Sequence, residues 1–140
     1  MTLATDFEII SSLDENQARD LHELYKKEWW TNQRSFEDVQ HILEHSLSIA
    51  IAEKNSKALV AYSRVITDKF CFALICDVIV DQSYRSQNLG KMLMQAILEH
   101  PELARITKFE LRCLPEMKPF YEKCGFSLPI GDLISMILAK

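Results

Sequence analysis

The segment RSQNLGK (85–91) follows an apolar run and opens a stretch with helical spacing. A helix N-terminus presents unpaired N–H groups and the positive end of the helix dipole, and phosphate binds there readily. Arg85 and Lys91 add positive side chains, and Gly90 lets an anion approach the backbone with no Cβ in the way. Asn88 stands where a second glycine would suit a tight cradle. After glycine, asparagine best tolerates a left-handed backbone, so the conformational cost there is on the order of 1 kcal/mol or less. The segment reads either as an anion cradle or as an ordinary strand-to-helix connection.

Asp77 is the second candidate. It interrupts FALICDVIV, where an unpaired carboxylate would be costly to bury. It either accepts a proton from an ammonium or holds that ammonium, or it forms a structural pair with Arg64, Arg112 or a bulge N–H. A proton-accepting role calls for a raised pKa. Glu110 and Arg112 share one face of the next strand by period 2 and are placed to border the same cleft. In KKEWWTNQRSF (26–36) two tryptophans are adjacent, and they cannot both face the core from one helix. Trp29 continues the apolar stripe of the preceding helix. Trp30 then either lines a pocket for an acceptor with an apolar part or packs on the second helix. Glu28 is placed to meet a cationic acceptor.

The elements that must position these residues are legible as patterns. FEIISSL (7–13) alternates as a strand, and DENQ (14–17) is a capping box opening a helix with Ala18, Leu21 and Tyr25 on one face. A second helix starts at Ser35, with Phe36, Val39 and Leu43 inward. SLSIAIAE (46–53) and ALVAYSRVI (58–66) form a hairpin, and FCFALICDVIV (70–80) reads as a central strand covered on both faces. LGKMLMQAILEH is an amphipathic helix closed before Pro101, and ITKFELRCL (106–114) is a strand. EMKPFYEKCGF is a short helix stopped by Gly125, and DLISMILA (132–139) closes the chain as a strand. The expected order is β-α-α-β-β-β-α-β-α-β: α/β, with a mixed β-sheet flanked by helices in a single domain over 1–140, and a parallel crossover in its second half.

With 140 residues, 48% of them hydrophobic, the chain suits one domain with one core. A net charge of −4 and no basic block argue against nucleic acid as a partner. No run reaches membrane-spanning length, and no secretory leader pattern opens the chain, so a cytoplasmic location without membrane attachment is expected. Cys71, Cys76, Cys113 and Cys124 show no metal-ligand spacing and read as buried reduced thiols; no metal is expected.

Together these features resemble the GNAT superfamily of acyl-coenzyme A-dependent N-acetyltransferases. Its signature loop is Arg or Gln, two residues, Gly, one residue, then Gly or Ala; here it stands as Arg85, Ser86, Gln87, Asn88, Leu89, Gly90. DVIVDQSYR ahead of it looks like the fourth strand and its exit, and FYEKCGF (120–126) is close to a late motif about 35 residues beyond the loop. The resemblance implies an enzyme that moves an acetyl group from acetyl-coenzyme A to a primary amine, releasing coenzyme A. Direct attack in a ternary complex is expected, and a small-molecule amine is the expected acceptor.

The same resemblance implies that the N–H groups of residues 85–91, Lys91 included, hold the pyrophosphate. Val78, Ile79 and Val80 would pair with the pantetheine arm in a wedge between 77–80 and 111–114. An N–H at Ile79 or Val80 would bind the oxyanion, and Tyr121 would protonate the leaving sulfur. Packing is the other reading of Tyr121, since Met117, Phe120, Tyr121 and Cys124 form a helical stripe. In many relatives an asparagine stands seven residues before this tyrosine; here that position is Leu114. Asn88 and Leu114 favour the alternatives, a non-catalytic acyl-coenzyme A sensor or interaction module; a protein or peptide N-acetyltransferase is a further one. A monomer or a homodimer is expected.

Overall fold

The computed structural model describes residues 6–129, 131 and 133–140. The elements are β1 (Phe7–Ile10), α1 (Glu15–Lys26), α2 (Phe36–His45), β2 (Leu47–Glu53), β3 (Leu59–Thr67), β4 (Ala73–Val80), α3 (Leu89–Leu98), β5 (Phe109–Leu111) and α4 (Lys118–Lys123). The five strands form one mixed sheet in the order β1-β2-β3-β4-β5. All neighbours are antiparallel except β4 and β5, which are joined through α3 and run parallel.

Helices cover both faces of the sheet, and the period of two along β2 sorts its side chains between them. Ile49 and Ile51 pack with Leu89, Leu93, Met94 and Ile97 of α3. Ala50 packs on the other face with Leu21, Leu24 and Tyr25 of α1 and Val39 of α2. Each fully buried aliphatic side chain contributes about 1.5–3 kcal/mol. Local signals fix the helix ends. Asp14 with Gln17, and Ser35 with Asp38, close reciprocal capping boxes. Gly125 has φ +100°, and Phe126 N–H reaches Tyr121 C=O while Gly125 N–H reaches Glu122 C=O, the paired bonds of a left-handed helix stop.

Several boundaries differ from expectation. β4 begins at Ala73, because Asp68 Oδ1 accepts from the N–H groups of Phe70, Cys71 and Phe72 at 2.9–3.0 Å and takes them off the ladder. The strand pairs with β3 along its length and with β5 only over 73–75, and Leu74, Cys76, Asp77, Val78 and Val80 are only half-buried because they also wall a cavity. β5 spans three residues, not nine. The expected closing strand is absent over 133–139: these residues have no regular structure and are exposed, while position 132 lies outside the described residues. The thiols are not buried either; Cys71 and Cys113 are exposed and Cys76 and Cys124 half-buried, all four free.

Candidate active site

β4 and β5 pair only at Ala73–Phe109, Leu74–Glu110 and Ile75–Leu111. Beyond Ile75 they part. The parting coincides with a bulge toward β3, where Tyr62 faces Ile79 and Arg64 faces Cys76, so Asp77 and Val78 together oppose Ser63. Asp77 takes φ +55°, a region that aspartate tolerates better than most residues. Residues 77–80 therefore have no strand on their β5 side. A cavity of about 980 Å³ fills the opening, walled by residues 74–80 of β4, by Leu111 at the end of β5 and residues 112–114 beyond it, by Tyr121 of α4 and by loop residues 84–86 and 88–91.

One carboxylate oxygen holds the bulge. Asp77 Oδ2 accepts from Arg34 Nη1 at 2.6 Å, Arg64 Nε at 2.6 Å and the Tyr25 hydroxyl at 2.9 Å. The Asp77 side chain is 7% exposed, so these donors replace the water it has lost. Burial favours the neutral acid, but the two guanidiniums outweigh it and hold the carboxyl below its ordinary range. Asp77 is thus a fixed anion and not a poised base. Its structural pairing is with Arg64, as weighed from the sequence, and also with Arg34, which the sequence did not single out. Arg34 also stacks over the Tyr25 ring at 4.6 Å. The arrangement ties α1, the segment before α2, β3 and β4 together at one point.

The loop has the shape of a cradle. Ser86 (φ +74°) and Asn88 (φ +61°) are both left-handed. Asn88 is the N-cap of α3 but makes no side-chain cap bond, so the N–H groups of Leu89, Gly90 and Lys91 have no partner within the helix. The Arg85 N–H is already bonded to Gln82 C=O, and its guanidinium donates to Val80 C=O at 3.1 Å and to Glu28 Oε1 at 3.3 Å. Glu28 is therefore neutralised by Arg85 and is not a free anion awaiting a cation. Gln87 lies away from the cavity wall, its Oε1 buried without a donor. At Gly90 a Cβ would stand 3.2 Å from Cζ of Phe120, so the missing side chain admits that ring as well as any ligand.

Glu28, Trp30, Asp77, Val78, Ile79, Val80, Arg85, Ser86, Asn88, Leu89, Gly90, Lys91 and Tyr121 all line the cavity, and of the pair expected to border it from the next strand Arg112 does and Glu110 does not. Tyr121 is buried between Phe120 and Phe126, both edge-on. Burial, with Cys113 and Cys124 adding to it, pushes its phenol up to about 12, so it stays protonated through the neutral range. Trp29 departs from expectation. α1 stops at Lys26, so the helical stripe no longer applies at Trp29, which is 71% exposed. Both tryptophans line the cavity. Leu114, also on the wall, is the N-cap of a short turn and offers it no side-chain bond. The splayed strands, the unpartnered α3 N-terminus and the nearby cations Arg85 and Lys91 fit a long ligand with an anionic end and an amide-bearing arm.

Comparison with known proteins agrees with this geometry. The family model "Acetyltransferase (GNAT) family" matches residues 13–126. A glucosamine 6-phosphate N-acetyltransferase of Arabidopsis thaliana is 32% identical over 101 residues, 67% of this chain and 67% of that protein. An uncharacterised N-acetyltransferase of Porphyra purpurea is 30% identical over 76% of this chain; the match spans 63% of the Porphyra protein. A solved structure from Xanthomonas campestris assigned to the GNAT family superposes with a TM-score of 0.79 at 26% identity, covering 94% of this chain and 93% of that one. The chain belongs to the acetyltransferase (GNAT) family, and its relatives place it among the N-acetyltransferases.

Proposed function

We propose that the chain transfers an acetyl group from acetyl-coenzyme A to the primary amine of a small molecule, by direct attack within a ternary complex. The carrying observation is the parting of β4 from β5 at Asp77, with Tyr121 on the wall of the cavity so formed. The N–H groups of Leu89, Gly90 and Lys91, with the Arg85 and Lys91 side chains, hold the pyrophosphate. The open edge of Val78–Val80 orients the pantetheine arm. When bound, acetyl-coenzyme A supplies the acetyl group as a thioester. The Ile79 or Val80 N–H stabilises the developing oxyanion, and Tyr121 donates its proton toward the departing sulfur.

Asp77 anchors the acceptor. Its three donors all fall on Oδ2, leaving Oδ1 to hold the acceptor's amino group. The ammonium proton is lost to solvent before the neutral amine attacks, and the second proton is shed to solvent as the amide forms. Tyr121 regains from solvent the proton it gives to sulfur. Arg112 lines the same cavity and forms no salt bridge with a described residue, so it suits an anionic group on the acceptor. Glucosamine 6-phosphate, which pairs an amine with a phosphate and appears in a relative's name, is the first acceptor to try. The four free cysteines suit a reducing, cytoplasmic setting.

The test is a pair of measurements. Calorimetric titration with acetyl-coenzyme A should give saturable binding, and a panel of amines should then release free thiol. Binding without thiol release from any amine would make the chain an acyl-coenzyme A sensor. No binding by folded protein would remove the cofactor reading altogether.

A further inference from the structure

The segment between α1 and α2 carries the chain's two tryptophans. Trp29 and Trp30 are both exposed, and neither indole bonds to or stacks on a described residue. Both nevertheless stand on the cavity wall. Loose aromatic side chains must be ordered each time a ligand arrives, which weakens binding. A wall built of indoles therefore depends on how firmly their backbone is fixed beforehand.

Backbone and side-chain bonds clip the segment to α1. The hydroxyl of buried Thr31 donates to Tyr25 C=O at 2.8 Å. The Arg34 N–H reaches Thr31 C=O at 3.1 Å, and Arg34 C=O accepts from His22 Nε2 at 3.0 Å. These bonds fold the segment on itself and on α1, but they do not set its distance from β4. Two ion pairs reach beyond α1. Glu28 and Arg85 meet at 3.3 Å in a largely solvated pair, which holds weakly. Arg34 meets the buried Asp77 side chain at 2.6 Å, and among the described residues it is the one polar side-chain bond from this segment to β4.

Charge balance does not account for Arg34. Asp77 needs one cation, and half-buried Arg64, with its Nε 2.6 Å from the same oxygen, supplies it. A second guanidinium there repels the first and loses water in doing so. Geometry does account for it. The Arg34 guanidinium lies over the Tyr25 ring at 4.6 Å while Nη1 bonds Asp77 Oδ2, and the Tyr25 hydroxyl donates to that same oxygen. The three contacts close a triangle that leaves the planar group one orientation. We infer that Arg34 is a positioning residue: it latches the 28–33 segment to the β4 bulge and so fixes both indoles relative to Asp77 before the acceptor arrives. What occupies the wall follows from the proposed transfer reaction; what holds it follows from these contacts.

The test compares the parent with Arg34→Lys, which keeps a cation beside Asp77 and loses the plane, so the fold is retained while the triangle opens. Time-resolved anisotropy of tryptophan emission reads this segment alone, because Trp29 and Trp30 are the only tryptophans in the chain. The parent should lose anisotropy mainly through overall tumbling, and Arg34→Lys should gain a faster component from local motion. In thiol-release assays with glucosamine 6-phosphate, Arg34→Lys should raise the acceptor KM about tenfold and leave kcat within about twofold. Its affinity for acetyl-coenzyme A, by calorimetry, should be unchanged. Anisotropy decay in Arg34→Lys equal to the parent's overturns the inference, because any cation would then serve. Equal losses of acceptor and acetyl-coenzyme A binding overturn it too, because the damage would not be confined to the acceptor wall. Absence of thiol release by the parent removes the transfer reading alone, and the anisotropy comparison then decides the role of Arg34 without substrate.

Discussion

The two faces of the sheet carry different halves of the site by different means. On the α3 face the cavity-facing parts are backbone: a left-handed turn at Ser86 and Asn88, a helix N-terminus, and an open strand edge. The packing beneath them is mainly aliphatic, with Leu89, Leu93, Met94 and Ile97 of α3 against Ile49, Ile51 and Val65. On the α1–α2 face they are side chains, the Asp77 carboxylate with its two arginines and a tyrosine, and two tryptophans beyond the end of a helix. Backbone sites tolerate substitution wherever the conformation is preserved, whereas a charge cluster fails when one member changes. The α3 face should therefore be robust to point changes and the α1–α2 face fragile.

Asp77→Asn gives the sharpest break. It leaves two half-buried guanidiniums facing a neutral amide, at a cost of about 3 kcal/mol in denaturant unfolding. Loss below about 1 kcal/mol would mean that the cluster does not hold the bulge. The same carboxylate sets an acid limit. Its folded pKa is depressed, so its contribution is fully present above the unfolded value of about 3.9 and fades as pH falls toward the folded one. Parent and Asp77→Asn stabilities should differ in full above about pH 4 and converge only as pH falls through the lower folded value.

Tyr121→Phe keeps the packing with Phe120 and Phe126 and removes only the hydroxyl. Turnover should fall roughly 100-fold with cofactor affinity unchanged. Equal turnover would make Tyr121 a packing residue. Glu28→Gln frees Arg85 from a half-exposed pair, so stability should change by about 0.5 kcal/mol and coenzyme A should bind about twofold tighter. Asn88→Gly is the smallest change. Its side chain caps nothing and its backbone is already left-handed, so affinity should move by less than about 1 kcal/mol. A larger loss would show that the asparagine side chain touches the ligand and would weaken the contrast between the faces.

That contrast also explains what the sequence disclosed. The cradle was legible because its requirements are local: Gly90 and Asn88 next to a helical pattern declare an unusual backbone. The capping boxes at Asp14 and Ser35 and the stop at Gly125 are legible for the same reason. Arg34 was not, because nothing near it in sequence reveals a carboxylate 43 residues away. Trp29 was misplaced by extending a helical stripe past Lys26, where α1 ends. The apolar run of β4 looked like a covered strand because cavity walls and cores share a composition. The missing strand at 133–139 follows from the same limit: the pattern shows that a segment is suited to a sheet, not that a neighbouring strand is there to pair with it.

The approach of Phe120 to Gly90 joins the two stretches of sequence that first set this chain apart. A side chain at 90 and the full ring at 120 compete for the same space, with 3.2 Å between the notional Cβ and the ring edge. Laboratory evolution that enlarges position 90 should therefore succeed only alongside a smaller residue at 120. A loop transplanted from a relative would have to bring its helical counterpart with it.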